Sequence, residues 1–201
     1  MRLGILGGTF DPIHYGHLLI AETCREVLSL DHVKFIPARI SPHKTDRHPT
    51  DGHARADMIQ LAIAGYPEFS VDRRELRRTG VSYTVETLRE LAGDASNGEL
   101  FFLMGADSLK ELMTWKEPEE LAKLATLVVC NRPGFPPPTG DQILAWTTPT
   151  IASRVQCVSI PGTDVSASEL RDRIRSGRSI RFQTPRSVES FLRQHRLYDR
   201  K

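Results

Sequence analysis

The sequence predicts an α/β protein: a Rossmann-like open parallel sheet with helices on both faces and a small helical C-terminal portion. Three observations predict it. Short apolar runs alternate with segments whose apolar residues recur at helical spacing. The strongest run, Leu100-Phe101-Phe102-Leu103-Met104, is apolar throughout, as a central parallel strand covered on both faces must be. Glycine-containing turns follow both the first run and this one, which puts two loops on the same edge of the sheet, where such folds bind ligands.

The first element is the buried strand Leu3-Gly4-Ile5-Leu6, and Ile20, Cys24, Val27 and Leu28 mark the helix after it. Between them stands Gly7-Gly8-Thr9-Phe10-Asp11-Pro12-Ile13-His14-Tyr15-Gly16-His17. Paired glycines let backbone N–H groups approach an anion, and the helix N-terminus adds the positive end of its dipole. His14 and His17 lie at that terminus, where imidazoles can donate to phosphate oxygens. The spacing fits neither G-x-G-x-x-G nor G-x-x-x-x-G-K-[ST], so a dehydrogenase or a P-loop ATPase is not supported.

Bulk properties restrict the rest. With 201 residues the chain is expected to form one domain with a real core. A net charge of +2 implies neither wholesale nucleic-acid binding nor an acidic tail. Cys24, Cys130 and Cys157 fit no disulfide framework and no zinc spacing, and all three fall in apolar runs, where buried thiols are expected. The N-terminus has no signal-peptide pattern and no run reaches membrane length, so a cytoplasmic protein with no membrane partner is expected.

Taken in order, Val33-Lys34-Phe35-Ile36 is a second strand that Pro37 stops, delivering a loop with Ser41, Pro42, His43 and Lys44 to the crevice. Asp51 is placed to cap a structural helix through Arg55, Met58, Ile59 and Ala62. Phe69-Ser70-Val71 is a short strand, and the charge run Arg73-Arg74-Glu75-Leu76-Arg77-Arg78 reads as a solvated turn or edge. Thr84 is placed to cap a helix through Val85, Leu88 and Leu91, with residues 93–98 a polar loop. After the central strand, Ser108 and Glu111 have capping-box spacing, and Asp107 can accept from sugar hydroxyls. Trp115 reads as a stacking face in preference to a core aromatic, because its flanks are polar.

Pro118 opens a further helix, and Thr126-Leu127-Val128-Val129-Cys130 is the next strand, ended by Asn131 and Arg132. A proline-rich connection leads to the strand Val155-Gln156-Cys157-Val158-Ser159-Ile160. Ser166 and Glu169 have capping-box spacing, and the hydroxyls and amides of that helix start, with Arg171 one turn on, also make a triphosphate cradle. Thr184 as cap and Pro185 at the first helical position begin a final packing helix.

The glycine string resembles the (H/T)-x-G-H signature of the nucleotidyltransferase superfamily, in the form found in bacterial nicotinate-nucleotide adenylyltransferases. Pro37, Pro42, His43 and Lys44, the stretch Ser82-Tyr83-Thr84-Val85-Glu86-Thr87-Leu88, Gly105-Ala106-Asp107 and Val165-Ser166-Ala167-Ser168-Glu169-Leu170-Arg171 match further segments of the same family. The likeness runs from Gly7 to Tyr198 and implies a single nucleotidyltransferase domain over 1–201, with its helical portion at about 166–201. Ala38 departs from the family's frequent Asn, Lys116 from its aromatic, and Val165 from its Ile.

The resemblance implies ATP and nicotinate mononucleotide as partners, giving nicotinate adenine dinucleotide and pyrophosphate, with Mg2+ bound with ATP and no protein metal ligands. It implies catalytic roles for His14, His17, Lys44 and Arg171. It assigns ATP to Gly7, Gly8, Thr9, Phe10, His17, Gly105, Asp107, Ser166, Ser168 and Arg171. The mononucleotide falls to Gly8, Thr9, His14, Lys44, Tyr83, Thr84, Trp115 and Arg132. A sibling enzyme using nicotinamide mononucleotide or pantetheine phosphate, and a catalytically silent nucleotide-binding regulator, remain alternatives. Tyr83-Thr84 and Trp115 argue against pantetheine, and intact His14, His17 and Arg171 argue against silence. Oligomeric state, a homo-oligomer included, stays open.

Overall fold

The structure, a computed structural model, describes residues 1–40, 49–94, 98–131, 134 and 136–199. The sequence-expected contributions of Ser41, Pro42, His43, Lys44 and Arg132 lie outside the described residues.

Each strand is followed by helix, which forces parallel pairing. In chain order the elements are β1 (Arg2–Gly8), α1 (Tyr15–Val27), β2 (His32–Pro37), α2 (Gly52–Ala62), β3 (Phe69–Val71), α3 (Arg74–Arg77) and α4 (Thr84–Asp94). The second half runs β4 (Glu99–Gly105), α5 (Ala106–Glu111), a 3₁₀ turn (Leu112–Thr114), α6 (Pro118–Leu124), β5 (Thr126–Asn131), α7 (Gly140–Trp146) and α8 (Pro149–Ala152). It ends with β6 (Val155–Ser159), α9 (Ala167–Arg175) and α10 (Arg186–Gln194). The six strands form one sheet in the order β3-β2-β1-β4-β5-β6, every pair parallel. The order reverses between β1 and β4, so a crevice opens beyond their C-terminal ends.

Alternation along the strands splits the core in two. Leu3 and Ile5, Leu100, Phe102 and Met104, and Leu127 and Val129 face one side with α4, α6 and the α7–α8 segment. Phe101, Leu103, Val128 and Cys130 face the other with α1, α2, α9 and α10. Gly4 belongs to a close approach there, since a Cβ would meet Leu30 at 2.8 Å and Val33 at 2.9 Å.

Several local expectations need correction. The charge run is not a solvated turn: α3 buries Glu75 and Leu76, and Arg74 pairs with Asp72 and Asp94, each at 2.8 Å. Four residues give too short a period to read as a helix. Thr84 is the first residue of α4 rather than its cap, because the Tyr83 carbonyl already accepts from the Glu86 and Thr87 amides. Likewise α5 starts at Ala106 with Gly105 as N-cap, so Ser108 lies inside the helix. Helix α4 extends into the expected polar loop as far as Asp94. Thr184 is buried and donates to the Ile13 carbonyl at 2.8 Å, and Pro185 takes the N-cap position of α10 instead of the first helical one. Helices α7, with a Thr139–Gln142 capping box, and α8 occupy what reads in sequence as connection. Cys24 and Cys130 are buried thiols in contact at 3.5 Å, but Cys157 is exposed on the edge strand β6.

Candidate active site

Beyond the C-terminal ends of β1 and β4 lies a cavity of about 1210 Å³ whose walls include Gly8, Thr9, His14, His17, Gly105 and Arg171. The first loop is held by its own aromatic. Phe10, at φ 49°, turns its ring into the core, edge-on to Phe35 and to His17 at centroid distances of 5.9 and 4.9 Å. A Cβ on Gly8 would stand 3.0 Å from that ring, so glycine lets the loop fold over it.

His14 is the N-cap of α1, and two backbone amides hold its ring and that of His17. The Gly16 amide donates to His14 Nδ1 at 3.1 Å, and the His14 amide donates to His17 Nδ1 at 3.3 Å. The two rings lie 3.8 Å apart, tilted by 31°. A neutral imidazole that accepts at Nδ1 carries its proton on Nε2, so both rings are fixed as Nε2–H donors. Gly16 is required between them, because a Cβ there would sit 3.0 Å from the His14 ring and 3.3 Å from Thr163.

Helix α9 brings a second N-terminus to the same cavity. Ser166 caps it, accepting from the Glu169 amide at 3.2 Å, and its hydroxyl meets that of Ser168 at 3.2 Å. Both serines and Arg171 line the cavity, and Arg171 Nη1 donates to the Asp11 carbonyl at 2.6 Å, tying α9 to the first loop. At the end of β4, Gly105 has no atom within 4 Å of where a Cβ would be, which leaves that wall open. Two helix N-termini, the imidazoles of His14 and His17, Arg171 and Arg175 thus line one space together with Arg39, Asp11 and Asp172, while the Arg39 guanidinium donates to the Leu76 and Arg78 carbonyls. Asp172 is paired with Arg175 at 2.9 Å. The arrangement suits a polyphosphate.

Comparison with known proteins agrees with this geometry. Residues 5–173 match the cytidylyltransferase-like family. The chain is 45% identical to the probable nicotinate-nucleotide adenylyltransferase of Thermomicrobium roseum over 98% of its length and 91% of that protein's. It is 44% identical to a probable nicotinate-nucleotide adenylyltransferase of Thermus thermophilus, covering 98% of this chain and all of that one. It belongs to the cytidylyltransferase-like family, among the nicotinate-nucleotide adenylyltransferases. The fold is shared with a solved Plasmodium falciparum nicotinic acid mononucleotide adenylyltransferase complexed with NaAD, at 19% identity and a TM-score of 0.78, covering 98% of this chain and 97% of that one.

Of the residues singled out in this adenylyltransferase sequence, Gly8, Thr9, Phe10, His14, His17, Gly105, Ser166, Ser168 and Arg171 line the cavity. Phe10 is 2% exposed, so its ring supports the loop and His17 and is not itself presented to the cavity. Gly7, Asp107, Tyr83, Thr84 and Trp115 lie outside that lining. Asp107 is fully exposed on α5, beside Lys110 at 3.9 Å. Gly7 faces the Phe102 ring at 3.7 Å from an added Cβ, and Phe102 meets Trp115 edge-on at 6.1 Å, so Trp115 is a half-buried flank of the second core.

Tyr83 and the start of α4 reach the cavity rim by a strap: the Ser82 amide donates to the Ile40 carbonyl, and the Arg39 amide donates to Ser82 Oγ, at 2.9 and 3.0 Å. Lys116, standing where the family has an aromatic, places its ammonium 4.6 Å over the Tyr83 ring and pairs with Glu86 at 2.6 Å. Asp11, Thr50, Thr163, Arg175 and Tyr198 also line the cavity and carry no local signal that marks them in sequence, Asp11 excepted, which stands inside the glycine string. Among the described residues no three His, Cys, Asp or Glu side chains are grouped to hold a metal, and no helix is long and apolar enough to cross a membrane.

Proposed function

We infer that this chain transfers the adenylyl group of ATP to nicotinate mononucleotide. An oxygen of the mononucleotide phosphate attacks the α-phosphorus, the bond from that phosphorus to the β-phosphate oxygen breaks, and pyrophosphate leaves with nicotinate adenine dinucleotide as the other product. The attacking group is the substrate's own phosphate, so no protein nucleophile is needed. What the protein contributes is position and charge. The observation that carries the reading is the convergence of the adjacent His14–His17 donors and the Ser166–Arg171 helix start on one cavity.

On this reading His14 and His17 donate to the phosphates that exchange, and Arg171, with Ser166 and Ser168, holds the β- and γ-phosphates as charge builds on the leaving group. Gly105 leaves room for the adenosine ribose, and Asp107 would have to swing inward to meet it. Tyr83, Thr84 and Trp115 take the pyridine end, joined by Lys44 and Arg132. Gly7, Gly8 and Thr9 supply backbone between the two substrates. A magnesium ion fits as a companion of the triphosphate, since among the described residues the cavity walls offer only Asp11 and Asp172 as carboxylates and the first of these is already bonded to Tyr198. When bound it offsets charge on the pyrophosphate.

The test is pyrophosphate release from ATP and magnesium with each mononucleotide in turn. Release that requires nicotinate mononucleotide is expected; release with pantetheine phosphate in its place, or none with any acceptor, overturns the reading. The second outcome would favour a silent nucleotide-binding regulator.

A further inference from the structure

Within the cavity wall, and backed by Arg55, lies a polar cluster that phosphate binding does not by itself explain. Asp11 is 7% exposed, and both its carboxylate oxygens are occupied: the Tyr198 hydroxyl donates to Oδ1 at 2.5 Å and the Thr50 amide points to Oδ2 at 3.4 Å. Arg171 bonds the carbonyl of the same residue, not its carboxylate. Arg55, 1% exposed on α2, spends its guanidinium on three backbone carbonyls, those of Thr9, Ala38 and Thr50, at 2.5, 2.7 and 2.8 Å. It thereby ties the loops after β1 and β2 to the segment before α2, with its charge facing Asp11 and Tyr198.

Tyr198 is the unexpected member. It lies 187 residues from Asp11, close to the C-terminus, where chain ends ordinarily fray. Yet it is held at φ 67°, a left-handed backbone that a tyrosine adopts only against a steric cost, and its side chain forms part of the cavity wall. Burial and the Asp11 carboxylate push the phenol's pKa up, so it stays a donor.

The carboxylate belongs to the same residue whose carbonyl Arg171 bonds, so a rotation of the Asp11 side chain toward the guanidinium would threaten the site. Paired directly with the guanidinium, the carboxylate would cancel the positive charge that a triphosphate needs. The Tyr198 hydroxyl occupies one carboxylate oxygen of Asp11, and Arg171 bonds the neutral carbonyl of the same residue. We propose that Tyr198 is a positioning residue for ATP, holding the Asp11 carboxylate away from Arg171 and so setting the charge of the nucleotide site. The proposal rests on the reading that Arg171 meets the phosphates of ATP.

The experiment titrates ATP with magnesium, and separately nicotinate mononucleotide, into wild type, Tyr198→Phe, Tyr198→Phe with Asp11→Asn, and Arg171→Ala by calorimetry. Tyr198→Phe keeps the ring and loses the donor; ATP is expected to bind about tenfold more weakly, the scale of one lost bond to a charged group. Mononucleotide affinity is expected to stay within about twofold. Adding Asp11→Asn removes the competing charge and is expected to recover most of the loss, which a tail that merely holds the fold would not do. An unchanged ATP affinity in Tyr198→Phe, no recovery in the double variant, or equal loss of both substrates, misfolding included, overturns the proposal. Arg171→Ala separates the two levels. If it weakens ATP while Tyr198→Phe does not, only the positioning role falls; if it leaves ATP unchanged, the reading of Arg171 falls and takes the proposal with it.

Discussion

A single imidazole can carry two separable jobs, and we propose that His14 does. As N-cap of α1 its ring accepts from the Gly16 amide, a structural bond, while the tautomer this fixes leaves Nε2–H as the donor proposed to meet a phosphate. His14→Ala is therefore expected to lose about 1 kcal/mol of stability together with about a hundredfold in turnover. His14→Asn, with an amide oxygen suited to capping, is expected to restore the stability and leave turnover low. Urea unfolding and pyrophosphate release on the same preparations check this, and an Asn variant with recovered turnover would show that the cap alone is what His14 supplies. The histidine pair was legible in sequence because both its members and the glycine between them lie within one turn. Asp11, Arg55 and Tyr198 were not legible together, because their meeting depends on three distant segments arriving at one place. Periodicity assigns Arg55 to a structural helix, which is correct as far as it goes, but the three carbonyls it serves belong to the site.

At the scale of elements, we propose that the start of α4 carries the specificity for the pyridine substituent. The amides at the start of α4 are donors, and a carboxylate suits donors where a carboxamide NH₂ does not. The nearby acidic residues are both engaged, Glu86 with Lys116 and Glu117 with Arg89, so neither is disposed to accept from an amide substituent. The ratio of kcat/KM for nicotinate over nicotinamide mononucleotide is expected to exceed about tenfold. A ratio near one would mean that the start of α4 does not read the substituent.

Helix α3, packed beside α4, contains Glu75, which accepts from the Thr87 hydroxyl at 2.6 Å and whose burial pushes its carboxyl pKa up. The folded state thus holds this proton more tightly than the unfolded chain does. Stability from that proton is present below the ordinary value of 4.5 and is lost as pH rises through the folded value. Glu75→Gln lacks the loss, so its stability relative to wild type is expected to climb between about pH 4.5 and about pH 8. Urea unfolding at the two pH values decides it, and a relative stability that falls with pH would mean that the ionised carboxylate is the form the fold prefers. The sequence places these elements to within a residue or two but misassigns Thr84 and Ser108 as caps, since a hydroxyl just inside a helix and one at its cap look alike until the carbonyl pattern is seen. It also misassigns Thr184, which precedes the N-cap Pro185 and bonds the Ile13 carbonyl instead.

For the whole molecule, alternation of strands and helices was enough to give the parallel sheet, and the apolar run of β4 marked its centre. The reversal of strand order beside it, the feature that opens the crevice, follows from which strands pair and is not written in any one segment. How the C-terminal portion relates to the rest is likewise a question of packing. Leu170, Ile180, Val188 and Leu192 belong to the same buried cluster as Ala21, Met58 and Val128, so the end of the chain completes one face of the sheet instead of standing apart from it. We therefore propose that residues 1–201 are one cooperative unit. The two tryptophans give a direct test, because Trp115 and Trp146 both pack against the opposite face, away from α9 and α10. Tryptophan fluorescence then follows one side of the sheet while far-ultraviolet circular dichroism follows the helices of both. A shared sheet couples the two faces, and coincident urea transitions at one midpoint are expected from both probes. A circular-dichroism transition that begins at lower urea, with fluorescence unchanged, would mean that the C-terminal helices detach first and that the site loses Arg171 and Tyr198 before the sheet opens.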